Sequence, residues 1–144
     1  MKTRALPLLV VLILGLTACA SERSHTSASV ATRATPDTTV ILRLTAEEFL
    51  ARYTPETVVI DVRTPEEFAQ GHLQGALNLN VQAPDFREQV AALQLSPDQP
   101  VYLYCRSGRR SQRAAEILRE MGFRKLYNIG GFEDLARAGA NVAP

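Results

Sequence analysis

One stretch decides the fold: Val101-Tyr-Leu-Tyr-Cys105-Arg-Ser-Gly-Arg-Arg110-Ser111. Its first four residues are apolar and aromatic types that favour a buried β-strand, and Cys105 follows them directly. Gly108 permits a sharp turn. Apolar residues at i, i+3, i+4 and i+7 then predict a helix: Ala114, Ile117, Leu118 and Met121. A thiol therefore lies between a strand end and a helix N-terminus, where free backbone N–H groups can bind an anion.

Strand and helix patterns alternate on both sides of this stretch. Strands are predicted over residues 40–42, 58–60, 76–79, 101–104 and 125–128. Helices are predicted after Thr45 and Thr64, over residues 85–93, after the cysteine loop, and after Gly130-Gly131. Thr45 with Glu48 and Thr64 with Glu67 form capping boxes. The alternation predicts one α/β domain over residues 38–144, with a central, mainly parallel sheet flanked by helices.

Residues 1–18 have the character of an export signal. A short basic start is followed by an apolar run to Leu16, about half of the ~20 residues that a membrane-spanning helix needs. The tetrad Leu16-Thr-Ala-Cys19 resembles the lipobox of bacterial lipoproteins. That resemblance implies cleavage before Cys19 and lipid attachment to it, so that the protein is anchored in the cell envelope and faces the periplasm. Ala20 favours the outer membrane by the same resemblance, and an ordinary secretory signal cut near Ala20 remains the alternative.

Residues 19–37 follow the expected cleavage site and are dominated by Ser, Thr and Ala. Such a segment buries too little apolar surface to offset its ordering entropy, so it is predicted to be a flexible tether behind the lipidated cysteine. His25 falls in this segment and is interpreted as linker.

Charge and cysteine content narrow the class of partner. The 144 residues suffice for one modest core, and the formal charge is +1. Without Lys2 and Arg4 of the expected signal, 14 of the 16 basic residues remain against 15 acidic ones. This balance, with no base-recognition motif, argues against nucleic acid as a partner. Cys19 and Cys105 stand in unlike contexts, so no disulfide is expected between them.

The setting of Cys105 predicts an activated nucleophile. A helix N-terminus and nearby cations commonly lower a cysteine pKa from ~8.5 into the range ~3.5–7.5. Arg109, Arg110 and Arg113 lie where positive charge is unfavourable by about 0.3–1 kcal/mol each. An anionic ligand, or the thiolate itself, would reverse that penalty. The competing interpretation is an inert core cysteine with arginines that point to water.

Several ordered motifs give the chain a family resemblance. They are Asp61-Val-Arg63, Glu66-Glu67-Phe68, Gly71-His-Leu-Gln-Gly-Ala-Leu-Asn78, Cys105-Arg-Ser-Gly-Arg-Arg110-Ser111, Asn128-Ile-Gly-Gly131 and Gly139. Together they resemble the single-domain rhodaneses, which are thiosulfate sulfurtransferases, over essentially the whole predicted domain. One departure is Leu135, where the family often has tryptophan, and it concerns core packing.

The resemblance implies a rhodanese fold and a sulfurtransferase activity. Cys105 would take the outer sulfur of a small anionic donor such as thiosulfate, become a persulfide, and pass the sulfur to cyanide or a thiol. The loop would bind substrate through Arg106, Ser107, Gly108, Arg109, Arg110 and Ser111, with amides that cradle the persulfide and arginines that attract the donor. Asp61 and Arg63 are expected to brace the loop through ion pairs, and His72 is interpreted as structural. No cofactor or metal is expected.

Two alternatives follow from the same residues. Related phosphatases and arsenate reductases place an arginine six positions after the cysteine, whereas here Ser111 holds that position and Arg110 comes one earlier. The shorter cradle favours sulfur over a tetrahedral oxyanion. A non-catalytic persulfide carrier, or a thiol-redox or docking module at the membrane, remains the alternative from another class.

Overall fold

The computed structural model describes residues 39–144, so the predicted signal, lipid-attachment site and tether lie outside the described residues. Its elements, in chain order, are β1 Ile41–Arg43, α1 Ala46–Leu50, β2 Val58–Asp61, α2 Pro65–Ala69, β3 His72–Leu73, β4 Leu77–Asn78, α3 Phe86–Ala92, β5 Val101–Cys105, α4 Arg109–Glu120, β6 Leu126–Gly131, α5 Phe132–Arg137 and β7 Val142–Ala143. Within this described part, none of the helices has the length and apolar character needed to cross a bilayer.

A five-stranded sheet forms the centre of the domain, in the order β1-β6-β5-β2-β4. All four strand pairs are parallel. The predicted α/β fold with a central parallel sheet and flanking helices is therefore confirmed. Since β5 occupies the middle of the sheet, its carboxyl end lies between the ends of β2 and β6, and the side chains of three loops can meet there.

The helix starts agree with the sequence. Thr45 and Thr64 each accept a hydrogen bond from the backbone N–H three residues on, and Glu48 and Glu67 each accept one from the backbone N–H of the capping threonine. Both capping boxes are therefore present as predicted. The two capping boxes fix the first residues of α1 and α2. They therefore determine how long the loops are between the carboxyl ends of β1 and β2 and the helices that follow.

Two features differ from the predicted elements. A second, antiparallel sheet pairs β3 with β7, and two-residue strands are too short to show any sequence period. In addition, β6 continues to Gly131 rather than ending at Asn128, and its register places Gly131 opposite Cys105. The extension matters because it brings the Gly130-Gly131 pair against the cysteine loop.

Each face of the sheet packs its own core. Along β5, Val101, Leu103 and Cys105 lie in the cluster with residues of α3 and α4. Tyr102 and Tyr104 lie in the cluster with residues of α1 and α5. This alternation is the two-residue period of a strand covered on both sides. The side chain of Cys105 thus ends a buried row on the α4 face.

Leu135, the departure noted in the sequence, is fully buried in the cluster on the α1 and α5 face. It lies on α5, which follows directly from the end of β6. The substitution therefore concerns core packing, as expected.

Candidate active site

The cysteine loop closes around its own sulfur. Cys105 is 1% exposed and ends β5, and α4 begins four residues later at Arg109. The N–H of Gly108 donates to Sγ at 3.1 Å, and the Ser111 hydroxyl lies 3.8 Å from it. Gly108 has a φ of 87° and is the residue before α4, a conformation that other residues adopt only with strain. A Cβ there would also come within 2.9 Å of an Arg43 guanidinium nitrogen.

The loop lowers the pKa of the Cys105 thiol below its ordinary value. Burial is the largest influence and works in the opposite direction. It is outweighed by hydrogen bonds from the Ser107 and Ser111 N–H groups, the Ser111 hydroxyl and the Gly108 N–H. The direction and the converging backbone N–H groups agree with the sequence analysis, whereas the arginine charges are not among the leading causes of the lowered pKa.

Arg110 is held by a carboxylate of the protein. Its two terminal nitrogens donate to the two oxygens of Glu67 at 2.6 and 2.7 Å, a bidentate pair that is partly exposed. The pair raises the pKa of Arg110. Glu67 therefore supplies the anion that offsets positive charge in the first turn of α4. The same ion pair limits the ability of Arg110 to bind an anionic sulfur donor. Sequence reasoning missed this role because the capping box already accounted for Glu67.

Removal of the Glu67 carboxylate should change how stability depends on pH. The hydrogen bonds of Arg110, opposed by burial and aided by the Thr64 N–H, lower the pKa of Glu67 to about 2. A carboxyl with a depressed pKa stabilises the fold above its ordinary pKa, and this contribution disappears as pH falls towards 2. We expect Glu67→Gln to cost about 1 kcal/mol or less at pH 7, because the pair is partly exposed.

Urea unfolding of the wild-type protein and Glu67→Gln at several pH values would measure this difference. It should shrink steadily as the pH falls from about 4.5 towards 2. A difference in unfolding free energy that stays constant across that range would contradict the role assigned to the ion pair.

The remaining loop side chains point outward. Arg106, Ser107 and Arg109 are exposed, and among residues 39–144 neither Arg106 nor Arg109 forms an ion pair. Arg113 is also exposed and faces Glu116 at 3.7 Å. Arg106 and Arg109 are thus the loop cations that a small anion could engage.

Two cavities flank the loop. One, of about 290 Å³, lies beside Arg106 and is also lined by Arg63, Glu67, Phe132 and Glu133. The other, of about 500 Å³, lies beside Ser107, and its remaining lining comes largely from the ends of β1 and β6 and from α5. The loop therefore separates two polar clefts at the carboxyl edge of the sheet, the edge where ligands of parallel sheets bind.

Asp61 and Arg63 form a buried ion pair with each other. Arg63 donates to both oxygens of Asp61, at 2.6 to 2.9 Å, and also to the Gly71 carbonyl at 2.7 Å. Its guanidinium lies 4.4 Å from the centre of the Phe132 ring. The contacts of this pair therefore fix the turn between α2 and β3, beside the Arg106 cleft, whereas the sequence led us to expect ion pairs with the cysteine loop itself.

Tyr104 belongs to the same buried group. Burial, together with a hydrogen bond to Asp61, raises the pKa of Tyr104, and its hydroxyl accepts from the Leu73 N–H at 3.1 Å. His72 stacks on Phe68 at 3.7 Å between ring centres, and its Nδ1 lies 3.1 Å from the Phe68 carbonyl. These contacts join α2 to β3 and agree with a structural interpretation of His72.

Asn128 ties the loop to β6 from behind. Its side chain is fully buried and forms hydrogen bonds with the Gly108 carbonyl and the Ser111 hydroxyl, at 2.9 Å each. The sequence marked Asn128 only as part of a motif. The signal available was a polar residue in an otherwise apolar strand, which is usual only where a specific hydrogen-bond partner exists.

Comparison with known proteins agrees with this geometry. A family model described as Rhodanese-like domain matches residues 45–138, which is more than half of the chain. The chain belongs to the rhodanese-like domain family. The match lies within the domain predicted from the sequence and includes the loop at Cys105. The central parallel sheet and the buried cysteine at its carboxyl edge are thus features of a rhodanese-like domain.

Two curated proteins are similar to this rhodanese-like domain. Thiosulfate sulfurtransferase PspE of Escherichia coli is 42% identical over 64 residues, which cover 44% of this chain and 60% of PspE. An uncharacterised Bacillus subtilis protein, YqhL, is 49% identical over 41 residues, which cover 28% of this chain and 32% of YqhL. The matches thus span less than two thirds of either relative.

Solved structures show the same fold. A rhodanese from E. coli, described with anions, is 36% identical with a TM-score of 0.53 and covers 60% of this chain and 96% of that one. The Helicobacter pylori protein hp1203 is 28% identical with a TM-score of 0.57 and covers 70% and 87% of the two chains.

Proposed function

We propose that this rhodanese-like domain is a sulfurtransferase that carries sulfane sulfur as a persulfide on Cys105. The observation that supports the proposal most strongly is the convergence of the loop donors on a single sulfur with a lowered pKa. A thiolate is the nucleophilic form of cysteine, so by lowering the thiol pKa the loop extends attack to lower pH than an ordinary cysteine allows. The similarity to a thiosulfate sulfurtransferase supports the same reaction class.

The reaction proceeds in two displacements. The Cys105 thiolate attacks the outer sulfur of thiosulfate, a new S–S bond forms, and sulfite leaves with the electron pair of the bond that breaks. A cyanide ion or a thiolate then attacks the outer sulfur of the persulfide. Thiocyanate or a new persulfide is released, and Cys105 returns as a thiolate. In the first step the negative charge passes from the Cys105 sulfur to the outer sulfur of the persulfide, one atom further out. The same N–H donors can therefore stabilise both the thiolate and the persulfide anion.

Donor binding is assigned to the cleft beside Arg106. Arg106 is exposed and lacks an ion-pair partner among residues 39–144, whereas Arg63 and Arg110 are already paired with Asp61 and Glu67. A small anion such as thiosulfate fits the cavity of about 290 Å³ and can pair with Arg106, although the Glu133 carboxylate also lines the cleft. The E. coli rhodanese structure described with anions supports an anionic ligand for this class of domain.

The nearest competing chemistry is poorly supported by the loop. Phosphate chemistry of the related phosphatase type needs a guanidinium six positions after the cysteine, and here Ser111 occupies that position. Arg110 is one position short and is held by Glu67 at 2.6 and 2.7 Å. A phosphoryl group held inside the cysteine loop would therefore lack its principal cationic partner.

A steady-state assay tests the proposal. The purified protein should form thiocyanate from thiosulfate and cyanide, and persulfide from thiosulfate and a small thiol. Cys105→Ser should reduce both reactions to the background without protein, because no other group in the loop can hold the sulfur. Robust discharge to a protein thiol with no turnover of small acceptors would instead favour the persulfide-carrier alternative.

We further propose that the protein is a lipoprotein anchored through Cys19 in the bacterial cell envelope, with the domain facing the periplasm. The support is the lipobox-like tetrad Leu16-Thr-Ala-Cys19. In bacteria that produce the full chain, the protein should sediment with membranes, and Cys19→Ala should lose its lipid and leave that fraction. Unchanged fractionation of Cys19→Ala would contradict the anchor.

A further inference from the structure

Asn128, on β6, uses the whole hydrogen-bonding capacity of its buried amide. Oδ1 accepts from the Gly130 N–H at 3.1 Å and from the Ser111 hydroxyl at 2.9 Å. Nδ2 donates to the Gly108 carbonyl at 2.9 Å and to Gln112 Oε1 at 3.3 Å. Because a backbone N–H can only donate, the Gly130 contact identifies which end of the amide is oxygen. The side chain therefore has a single orientation.

The Gly108 carbonyl has more donors than it can accept. The Gln112 N–H, the Asn128 amide and the Ser111 hydroxyl approach it at 3.1, 2.9 and 3.0 Å. A carbonyl oxygen has two lone pairs, and the two N–H donors fill them. The single hydroxyl proton of Ser111 is then left with two acceptors, Asn128 Oδ1 and the sulfur of Cys105.

We infer that Asn128 is a positioning residue, which anchors Gly108 and sets where the Ser111 hydroxyl points, so that both groups serve the charged sulfur of Cys105. While the sulfur is neutral, the hydroxyl donates to Asn128 Oδ1. When the sulfur is anionic, the proton turns to it, because a hydrogen bond to an ion is about twice as strong as a neutral one. The extension of this role to the persulfide rests on the proposed function; the role towards the thiolate does not.

Arg110 acts on the same sulfur by a separate route. Its charge couples to Cys105, but Glu67 holds it and Asn128 does not. Replacing Asn128 therefore leaves this cation in place. For the uncharged variant Asn128→Ser, any change in the reactivity of the thiol can then be assigned to the Gly108 and Ser111 donors. Asn128→Asp also brings a carboxylate close to the sulfur, and its negative charge raises the thiol pKa in addition.

Asn128→Asp and Asn128→Ser both remove the amide of Asn128. Neither variant keeps a side-chain N–H that can donate to the Gly108 carbonyl. Asn128→Asp places an acceptor against the Gly108 carbonyl, and Asn128→Ser is too short to reach it. The rate of Cys105 alkylation by iodoacetamide is measured against pH for each folded variant. Both profiles should move to higher pH, with alkylation at neutral pH slowed about fivefold or more. In a Ser111→Ala background the effect should be smaller, because the two side chains act together.

Asn78→Asp is the matched control. Asn78 ends β4, is half-buried, and donates to the carbonyls of Asp61 and Arg63 at 3.2 and 3.0 Å, so its loss perturbs a neighbouring strand end without reaching the cysteine loop. Its alkylation profile should match the wild type. Profiles of Asn128→Asp and Asn128→Ser that also match the wild type, or an equal shift in Asn78→Asp, would overturn the inference.

Alkylation does not require sulfur transfer, so the two proposals can fail separately. A wild-type protein that is never loaded by thiosulfate would refute the proposed function and leave the alkylation comparison standing. If loading does occur, its rate at neutral pH should fall in the Asn128 variants in step with alkylation. Asn128→Ser decides the outcome, because it removes the amide without adding a charge near the sulfur.

Discussion

Gly131→Ala is expected to lower the rate of sulfur transfer by about two orders of magnitude, because small displacements of a reacting group have effects of that size. Gly131 ends β6 opposite Cys105, and a Cβ there would lie 2.7 Å from the Arg106 carbonyl oxygen. That atom is backbone and cannot rotate away. The peptide that would have to move also carries the Ser107 N–H, one of the donors that lower the pKa of Cys105. The variant should therefore show slower alkylation as well as slower transfer.

Gly122→Ala separates this steric effect from backbone strain. Gly122 follows α4 with a φ of 96°, so alanine there is strained by about 1–2 kcal/mol, but nothing lies within 4 Å of the added Cβ. By contrast, Gly131 does not have a positive φ. Gly122→Ala should lose stability and keep its transfer rate, measured under conditions where both variants are folded. Wild-type transfer by Gly131→Ala would contradict the assigned contact between β6 and the loop.

Arg63→Met should destabilise the domain by about 3–5 kcal/mol, since it leaves the Asp61 carboxylate buried without its partner. The side chains of Arg63 and Asp61 are 6% and 0% exposed. Burial, the largest single influence, lowers the pKa of Arg63, but the hydrogen bonds and charge of Asp61 outweigh it and raise the pKa. Methionine preserves much of the volume next to Phe132, so the loss is chiefly electrostatic. A domain stable by about 5–15 kcal/mol would lose much of its margin.

Arg87→Met provides the comparison. Arg87 pairs with Glu120 on the surface, where the two side chains are 49% and 52% exposed. An exposed pair contributes about 0–1 kcal/mol, so this variant should unfold close to the wild-type urea concentration. Equal losses in the two variants, measured by urea unfolding at pH 7, would contradict the special weight given to the buried pair.

The features that the sequence predicted correctly are those with local signals. The strand, glycine turn and helix around Cys105 have distinct periods, and each capping box lies within four residues. Parallel pairing followed from alternation of the elements. Glu67 lies 43 residues from Arg110 along the chain, and Ser111 and Gly108 lie 17 and 20 residues from Asn128. Such distant pairs have no local signature. The sequence predicted that Asp61 and Arg63 lie at a strand end, but it did not predict that they form an ion pair with each other.

The lowered pKa of Cys105 likewise has a part that local sequence signals predicted and a part that depends on contacts between distant residues. A helix N-terminus and adjacent arginines indicated its direction. In the structure, burial raises the pKa of Cys105, and hydrogen bonds from three N–H groups and one hydroxyl outweigh it. The convergence of these donors depends on the φ of Gly108 and on its hydrogen bond with Asn128. Arg110, in the first turn of α4, is bound by Glu67 of α2. This contact depends on the packing of α2 beside α4, which the sequence does not specify locally.

Intact-protein mass spectrometry after incubation with thiosulfate tests the central claim most directly. The wild-type protein should gain one sulfur atom, about 32 mass units, as expected for covalent catalysis through a persulfide. Peptide mapping should place the sulfur on Cys105, addition of cyanide should remove it, and Cys105→Ser should not acquire it. No mass gain in the folded wild-type protein, or a gain that persists in Cys105→Ser, would contradict persulfide chemistry at this loop.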